Sequence, residues 1–156
     1  MVDAQSGHEK TITGMLPALA GANVIYGLGM LEMGITFDLA QLVLDNEIAG
    51  MILYSLNGIV VNDETLSVDV IREMGIGKDY LAHASTYKHM KSQSQVQLID
   101  RRMREDWEAA GSTDIYKRAH GRVIEILETY EPAPLPANVL NTIRSIVADT
   151  EKELVR

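Results

Sequence analysis

Hydrophobic positions follow helical spacing in two stretches near the start of the chain, and a short apolar run of a different kind separates them. Apolar side chains recur at intervals of three or four residues over 12–19 and over 39–56, with Asp38 as a candidate cap of the second stretch. Between them, residues 22–26 are β-prone and lead into Gly27 and Gly29. The pattern predicts a helix, a buried strand that feeds a glycine-rich loop, and a second helix.

The rest of the chain predicts shorter and more amphipathic helices. Asn62 is a candidate cap for a segment that runs to Met74, and Ser85 is a candidate cap for a turn that runs to His89. Helix therefore dominates, and the predicted fold class is mainly α with one clear strand. Three further helices are predicted over 100–110, 113–130 and 139–154.

The single strand has no partner within the sequence. A buried strand without a neighbour leaves its backbone N–H and C=O groups unpaired, which is costly. A helix, a strand, a glycine-rich loop and a helix in this order are typical of a slice of a β/α barrel or a doubly wound sheet. We therefore expect further strands upstream of this chain.

Composition narrows the class of protein. The 156 residues are 46% hydrophobic and 23% charged, which is the globular range, and the net charge of −8 argues against nucleic acid as a partner. There is no cysteine, and His83 and His89 are six apart, so no metal site is predicted. No secretory signal or membrane span is recognisable, which predicts a cytoplasmic protein without membrane contact.

Charge and glycine are distributed unevenly along the chain. Residues 1–61 contain one basic residue, Lys10, with six acidic residues and eight of the twelve glycines. Residues 62–156 contain the other thirteen basic residues and sixteen acidic ones. The shift predicts two regions, a close-packed part over 1–61 and a solvated helical extension over 62–156.

Polar side chains are concentrated over 3–10, at the predicted start of the first helix. Within this segment His8 could move protons near neutral pH, and Gln5 adds a hydrogen-bonding amide. The alternative is a solvated helix start in which Asp3 and Glu9 complement the helix dipole. Both interpretations remain open on the sequence.

Glu32 is the second candidate, because it lies just past the predicted strand end, where α/β barrels place their active sites. A carboxylate among apolar residues could neutralise an ammonium group, and Tyr26 and Phe37 could offer ring faces to it. A loop glutamate that points into water is the alternative. Asp45, Asn46 and Glu47 interrupt the second helix. Glu47 could face a polar interior, but a solvated stripe is the more frequent explanation.

Seven blocks along the sequence carry a family resemblance. The blocks are DAQSGHEK at 3–10, LPALAGAN at 16–23, GMLEMGITF at 29–37, LDNEIAGM at 44–51, DVIREMG at 69–75, DRR at 100–102 and WEAAG at 107–111. Taken in order, they resemble the C-terminal part of the trimethylamine methyltransferase family, the corrinoid-dependent enzymes that demethylate trimethylamine or glycine betaine. The resemblance covers essentially the whole chain.

The resemblance implies the C-terminal part of a TIM-type β/α barrel, with the last strand–helix units over 1–61. It also implies methyl transfer from a small methylated amine to the cobalt of a corrinoid (cobalamin) on a separate partner protein, with no cofactor held by this chain. His8 and Glu32 are carried over as catalytic candidates. Gln5, from the polar cluster around His8, is carried over as a substrate- or corrinoid-facing candidate, and Tyr26 and Phe37 join it because of their ring faces near Glu32. The full-length protein is expected to be a homo-oligomer.

A complete barrel needs about 250 residues, so the chain is expected to be a C-terminal fragment that is inactive alone. In methanogen members of the family, an amber codon for pyrrolysine lies shortly upstream of the 3–10 block. We expect this chain to be the reading frame that follows such a codon, and in-frame barrel sequence across one UAG would support that. Two alternatives remain: a glycine betaine–corrinoid protein methyltransferase, and a non-catalytic helical module that oligomerises.

Overall fold

A computed structural model describes residues 2–154 and has a mainly helical fold, which confirms the predicted class. The chain divides into two compact units, Met1–Glu125 and Ile126–Arg156. The predicted boundary at 61/62 stays a prediction. The helices are α1 Ala4–Leu19, α2 Leu39–Ser55, α3 Asp63–Leu66, α4 Val68–Met74, α5 Ala84–His89, α6 Arg104–Ala109, α7 Ile115–Thr129 and α8 Ala137–Leu154, and the strands are β1 Met30–Leu31 and β2 Thr36–Phe37.

Helices α1 and α2 run parallel to each other, side by side. Ser6 of α1 contacts Gln41 of α2, and one turn later Lys10 contacts Asp45, so both helices advance in the same direction. Asp3 and Asp38 cap their first turns by accepting hydrogen bonds from the backbone amides three residues on, at 3.0 and 2.8 Å. Both N-termini therefore lie at one end of the pair.

Residues 22–28, which we call the return segment, run back along α1 in the opposite direction. Ile25 lies against Gly14 of α1, and further along the segment Gly27 accepts a hydrogen bond from Lys10, which is nearer the start of α1. The prediction of a strand over 22–26 is wrong for the described residues, since no hydrogen-bonded ladder forms there. A strand is defined by its neighbours, and none is available to this segment. Its exposed side chains, Val24 at 73% and Tyr26 at 84%, mark the open surface that results.

A short hairpin, with two residues in each strand, separates this return segment from α2. Met30 pairs with Phe37 and Leu31 with Thr36 in an antiparallel register. The turn between them places two consecutive non-glycine residues in the left-handed region, Glu32 at φ 50° and Met33 at φ 54°. The sequence predicted a glycine-rich loop here, and the hairpin within it was not predicted.

Three of the later helices differ from the sequence predictions. Asn62 caps as predicted, but left-handed Ser67 at φ 53° divides the segment to Met74 into α3 and α4. The α5 cap is His83, whose ring accepts from the Ser85 amide, so the prediction of Ser85 as the cap is wrong. The helix predicted over 100–110 begins only at 104, because Arg102 turns back to hydrogen-bond Asp100, which also lowers the pKa of that carboxyl.

The core of the first unit joins α2 and α7 to an irregular segment around Leu98. Glu47 of α2 holds that segment, since its carboxylate accepts hydrogen bonds from the amides of Gln97, Leu98 and Ile99 at 2.7 to 3.0 Å. The prediction of a solvated stripe is therefore wrong for Asp45, which is buried, and for Glu47, whose alternative of a polar environment fits, whereas Asn46 is exposed. The buried residues of this cluster are Ala40, Leu44, Leu98, Ala119 and Val123, and Ala18 and Ile52 are buried outside it.

The second unit contains the last turn of α7, a proline-rich link and α8. The link over 131–136 has neither helix nor strand, which agrees with the bias of proline against helix at the residue before it. Helix α8 carries an apolar stripe, of which Val139, Ile143 and Ile146 are all exposed. Within residues 2–154, no helix combines the length and the apolar character needed to cross a membrane.

Tyr116 of α7 donates a hydrogen bond to Asp38 at 3.1 Å, and this bond with the nearby negative charge raises the pKa of Tyr116. Because the folded-state pKa of Tyr116 lies above its unfolded value, the bond stabilises the fold fully below pH about 10. This stabilisation is lost as the pH rises through the folded-state pKa. We expect one tyrosine to ionise last in an alkaline absorbance titration. Tyr116→Phe should remove that phase, and an unchanged titration curve would contradict the assignment.

Candidate functional site

A buried carboxylate organises the end of the return segment. Asp45, only 5% exposed, accepts hydrogen bonds from three donors. Its Oδ2 lies 2.6 Å from the Lys10 ammonium and 2.8 Å from the Gly29 amide nitrogen. Its Oδ1 accepts from Gln41 Nε2 at 2.5 Å. Because each oxygen is satisfied, the carboxylate is held in one orientation between α1, α2 and the glycine-rich loop.

Gln41 extends this network to the first turns of α1. Its side chain is fully buried, and its Oε1 accepts a hydrogen bond from the Ser6 hydroxyl at 3.3 Å. Lys10 is 22% exposed and also donates to the Gly27 carbonyl at 3.3 Å. The network therefore ties the polar segment over 3–10 to the end of the return segment.

A pocket of about 360 Å³ opens beside this network, at the end where the two helices begin. One wall comes from α1 and the other from the hairpin over 30–34. The volume suits a small molecule. The polar lining residues are Asp3, Gln5, Ser6, Glu9, Lys10 and Glu32.

The pocket has an excess of negative charge. Lys10, its basic lining residue, is neutralised by Asp45. Glu9 accepts a hydrogen bond from Gln5 at 2.9 Å, and Glu32 accepts one from the Thr36 hydroxyl at 2.8 Å. Within residues 2–154 neither glutamate forms an ion pair with a lysine or arginine, so both charges remain available to a cationic ligand.

The structure brings together two of the five predicted site residues. Gln5 and Glu32 both line the pocket, on opposite walls. His8 is exposed on α1, and the structure does not place it in the pocket lining. Tyr26 lines a neighbouring cavity of about 390 Å³, and Phe37 covers Gly29 at the foot of the hairpin. The roles of all five stay predictions.

Sequence reasoning missed Asp45 and Gln41, although a signal was present. Gln41 and Asp45 are one turn apart, and so are Ser6 and Lys10. Two polar pairs with the same spacing on neighbouring helices can face each other. Without knowing that α1 and α2 are parallel, that match could not be distinguished from solvated surface.

The pocket is lined by neither a set of metal ligands nor an imidazole. Among residues 2–154 there is no group of three or more His, Asp or Glu side chains that could hold a metal ion. A corrinoid macrocycle is much larger than the pocket, and no imidazole lines it.

Almost the whole sequence matches one known protein family. The model of the trimethylamine methyltransferase family matches residues 1–155. The chain belongs to this trimethylamine methyltransferase family. The sequence resemblance is thereby confirmed, and the family places the chain among methyltransferases.

Individual family members agree with this assignment. The chain is 56% identical over 97% of its length to a trimethylamine methyltransferase of Desulfitobacterium hafniense, and 47% identical over 96% to one of Methanosarcina mazei. It is 30% identical over 98% of its length to a glycine betaine methyltransferase of Desulfitobacterium hafniense. The chain spans about 30% of the length of the trimethylamine methyltransferases and 32% of the glycine betaine enzyme.

Proposed function

We propose that this chain is the C-terminal part of an enzyme that transfers a methyl group from trimethylamine to a separate corrinoid protein. The observation that carries the proposal is the family match over residues 1–155. Because the chain spans about 30% of its relatives, the activity belongs to a completed protein. By completed protein we mean this chain joined in frame to the upstream part of the 56%-identical relative.

The arrangement of α1 and α2 supports a β/α barrel as the fold of that completed protein. In a barrel, successive helices are parallel and a strand returns between them on the inner side. Residues 22–28 follow this course, with Ile25 against Gly14. The segment lacks hydrogen-bonded neighbours here, and the barrel would supply one on each side.

The same arrangement supports the pocket as part of the substrate site. Barrel active sites lie at the carboxyl ends of the strands, where the following helices begin. The pocket lies at this end, between the first turns of α1 and the hairpin that follows the return segment. Glu32 and Glu9 would stabilise the positive charge of an ammonium substrate, and Gln5 would orient Glu9.

The charge of the pocket favours trimethylamine over glycine betaine. Glycine betaine carries a carboxylate, which the exposed glutamates would repel, because Lys10 is already paired with Asp45. The more similar relatives are also named trimethylamine methyltransferases.

Partner docking, self-association of the completed protein and the upstream amber codon stay predictions. Sequencing the DNA upstream of the first codon tests the last of these.

Glu32→Gln in the completed protein tests the role of the pocket. We expect the KM for trimethylamine to rise about tenfold, the equivalent of about 1.4 kcal/mol, because one stabilising charge is lost. Methyl transfer to the corrinoid protein is measured with each amine in turn. Glu105→Gln, an exposed glutamate of α6, is the matched control and should leave the KM unchanged.

Three results would contradict the proposal in different ways. An unchanged KM in Glu32→Gln would remove Glu32 from the site. A preference for glycine betaine would favour the glycine betaine alternative. Transfer from neither amine, with the full-length relative active in the same assay, would favour the non-catalytic helical module.

A further inference from the structure

The hairpin that carries Glu32 is held at its base. Gly29 precedes the hairpin, and its amide donates to Asp45 Oδ2 at 2.8 Å. Its carbonyl accepts from the amide of Asp38, which follows the hairpin, at 2.9 Å. Both ends of the loop are therefore fixed at Gly29, one by a side chain and one by the backbone.

The restraints at the tip of the hairpin are local ones, hydrogen bonds from the Thr36 hydroxyl and the Ile35 amide to Glu32. Glu32 and Met33 occupy left-handed backbone conformations that favour glycine, and the Met33 side chain is fully exposed. The ladder between β1 and β2 has only two residue pairs. An unfavourable conformation persists only when its surroundings impose it, so these local bonds and the base of the hairpin must impose it together.

Asp45 is suited to supply that restraint. Lys10 and Gln41 donate to its two oxygens from two helices, so the carboxylate cannot turn away from Gly29 without losing a bond. Asp45 is also nearly excluded from water. A hydrogen bond to a charged acceptor is stronger in such a buried position than at the surface.

We propose that Asp45 is a positioning residue, which through the Gly29 amide fixes the loop that presents Glu32 to the pocket. The role of Glu32 in substrate binding rests on the proposed function. The restraint that Asp45 places on the loop is independent of that function, because it is a property of the fold. Exchange of backbone amides can measure it.

Hydrogen exchange in the completed protein tests this with a matched pair of variants on α2. Asp45→Asn removes the negative charge that strengthens the bonds from Lys10 and the Gly29 amide, and its NH2 group cannot accept a hydrogen bond from the third donor, Gln41. We expect amides over 29–37 to exchange about tenfold faster and those over 97–99 to be unchanged. Glu47→Gln, which loosens the other loop held by α2, should give the opposite result.

Methyl transfer by the same variants tests the consequence for the site. Asp45→Asn should raise the KM for trimethylamine more than it lowers kcat, as loss of ligand positioning requires. If Asp45→Asn accelerates exchange throughout α7 as well, Lys10→Gln becomes the deciding variant. It keeps a donor without the charge, and its effect should be confined to 29–37.

Unchanged exchange over 29–37 in Asp45→Asn would overturn the inference whatever the activity. Faster exchange with an unchanged KM would overturn the positioning role, since the loop would then move without consequence for the substrate. An inactive completed protein beside an active full-length relative would overturn the proposed function instead. The exchange data alone would then decide whether Asp45 holds the loop.

Discussion

The chain by itself is expected to transfer no detectable methyl group from trimethylamine to the corrinoid protein, whereas the completed protein does. The return segment over 22–28 is the reason. Among residues 2–154 its backbone groups have no strand neighbours, and its own side chains Val24 and Tyr26 are exposed. The pocket accordingly has walls from α1 and the hairpin, and the remaining walls would come from barrel strands absent from this chain.

The assay compares the chain, the completed protein and the full-length relative at equal concentrations. Light scattering of the chain alone should show self-association, because open strand edges and exposed apolar side chains pair with other copies. Turnover by the chain alone at a rate near that of the completed protein would contradict the prediction. It would mean that the pocket described here is sufficient for catalysis.

Gly29→Ala is expected to destabilise the completed protein by about 2–4 kcal/mol. Gly29 has φ 78°, and a Cβ built there would lie 2.7 Å from Phe37 Cε2 and 3.0 Å from Leu42 Cβ. Alanine must therefore adopt an unfavourable backbone conformation and also displace the first turn of α2. The loss is measured as the change in the free energy of unfolding by urea.

Gly21→Ala separates the cost of the left-handed backbone from the cost of the close contacts at Gly29. Gly21 has φ 93°, but nothing lies within 4 Å of a Cβ built there, so alanine meets only the backbone cost. That cost is about 1–2 kcal/mol. Equal destabilisation by Gly21→Ala and Gly29→Ala would show that the close approach of Phe37 and Leu42 is relieved without cost.

Local signals predicted α1, α2 and several caps, because capping and helical spacing are properties of short segments. Asp38 and Asn62 cap as predicted for this reason. The strand over 22–26 failed because a ladder depends on residues outside the segment. His83 displaced Ser85 as a cap because its ring nitrogen also accepts from a backbone amide.

The candidate site was only partly predictable for a related reason. Glu32 and Gln5 could be selected from their places beside the predicted strand end and helix start. The hold of Asp45 on Gly29 joins residues 16 apart, and Lys10 reaches Asp45 across 35. Such contacts follow from the parallel course of two helices, which no single segment encodes.

The contacts from Ser6 to Gln41 and from Lys10 to Asp45 both join residues 35 apart, so the two helices share one register. Inserting one residue within α1 or α2 would rotate a polar partner away from its mate. The turn over 21–23 has no part in that register, is exposed and lies at the far end of the helices from the pocket. A peptide tag or fluorescent reporter can therefore be spliced into this turn without disturbing the pocket.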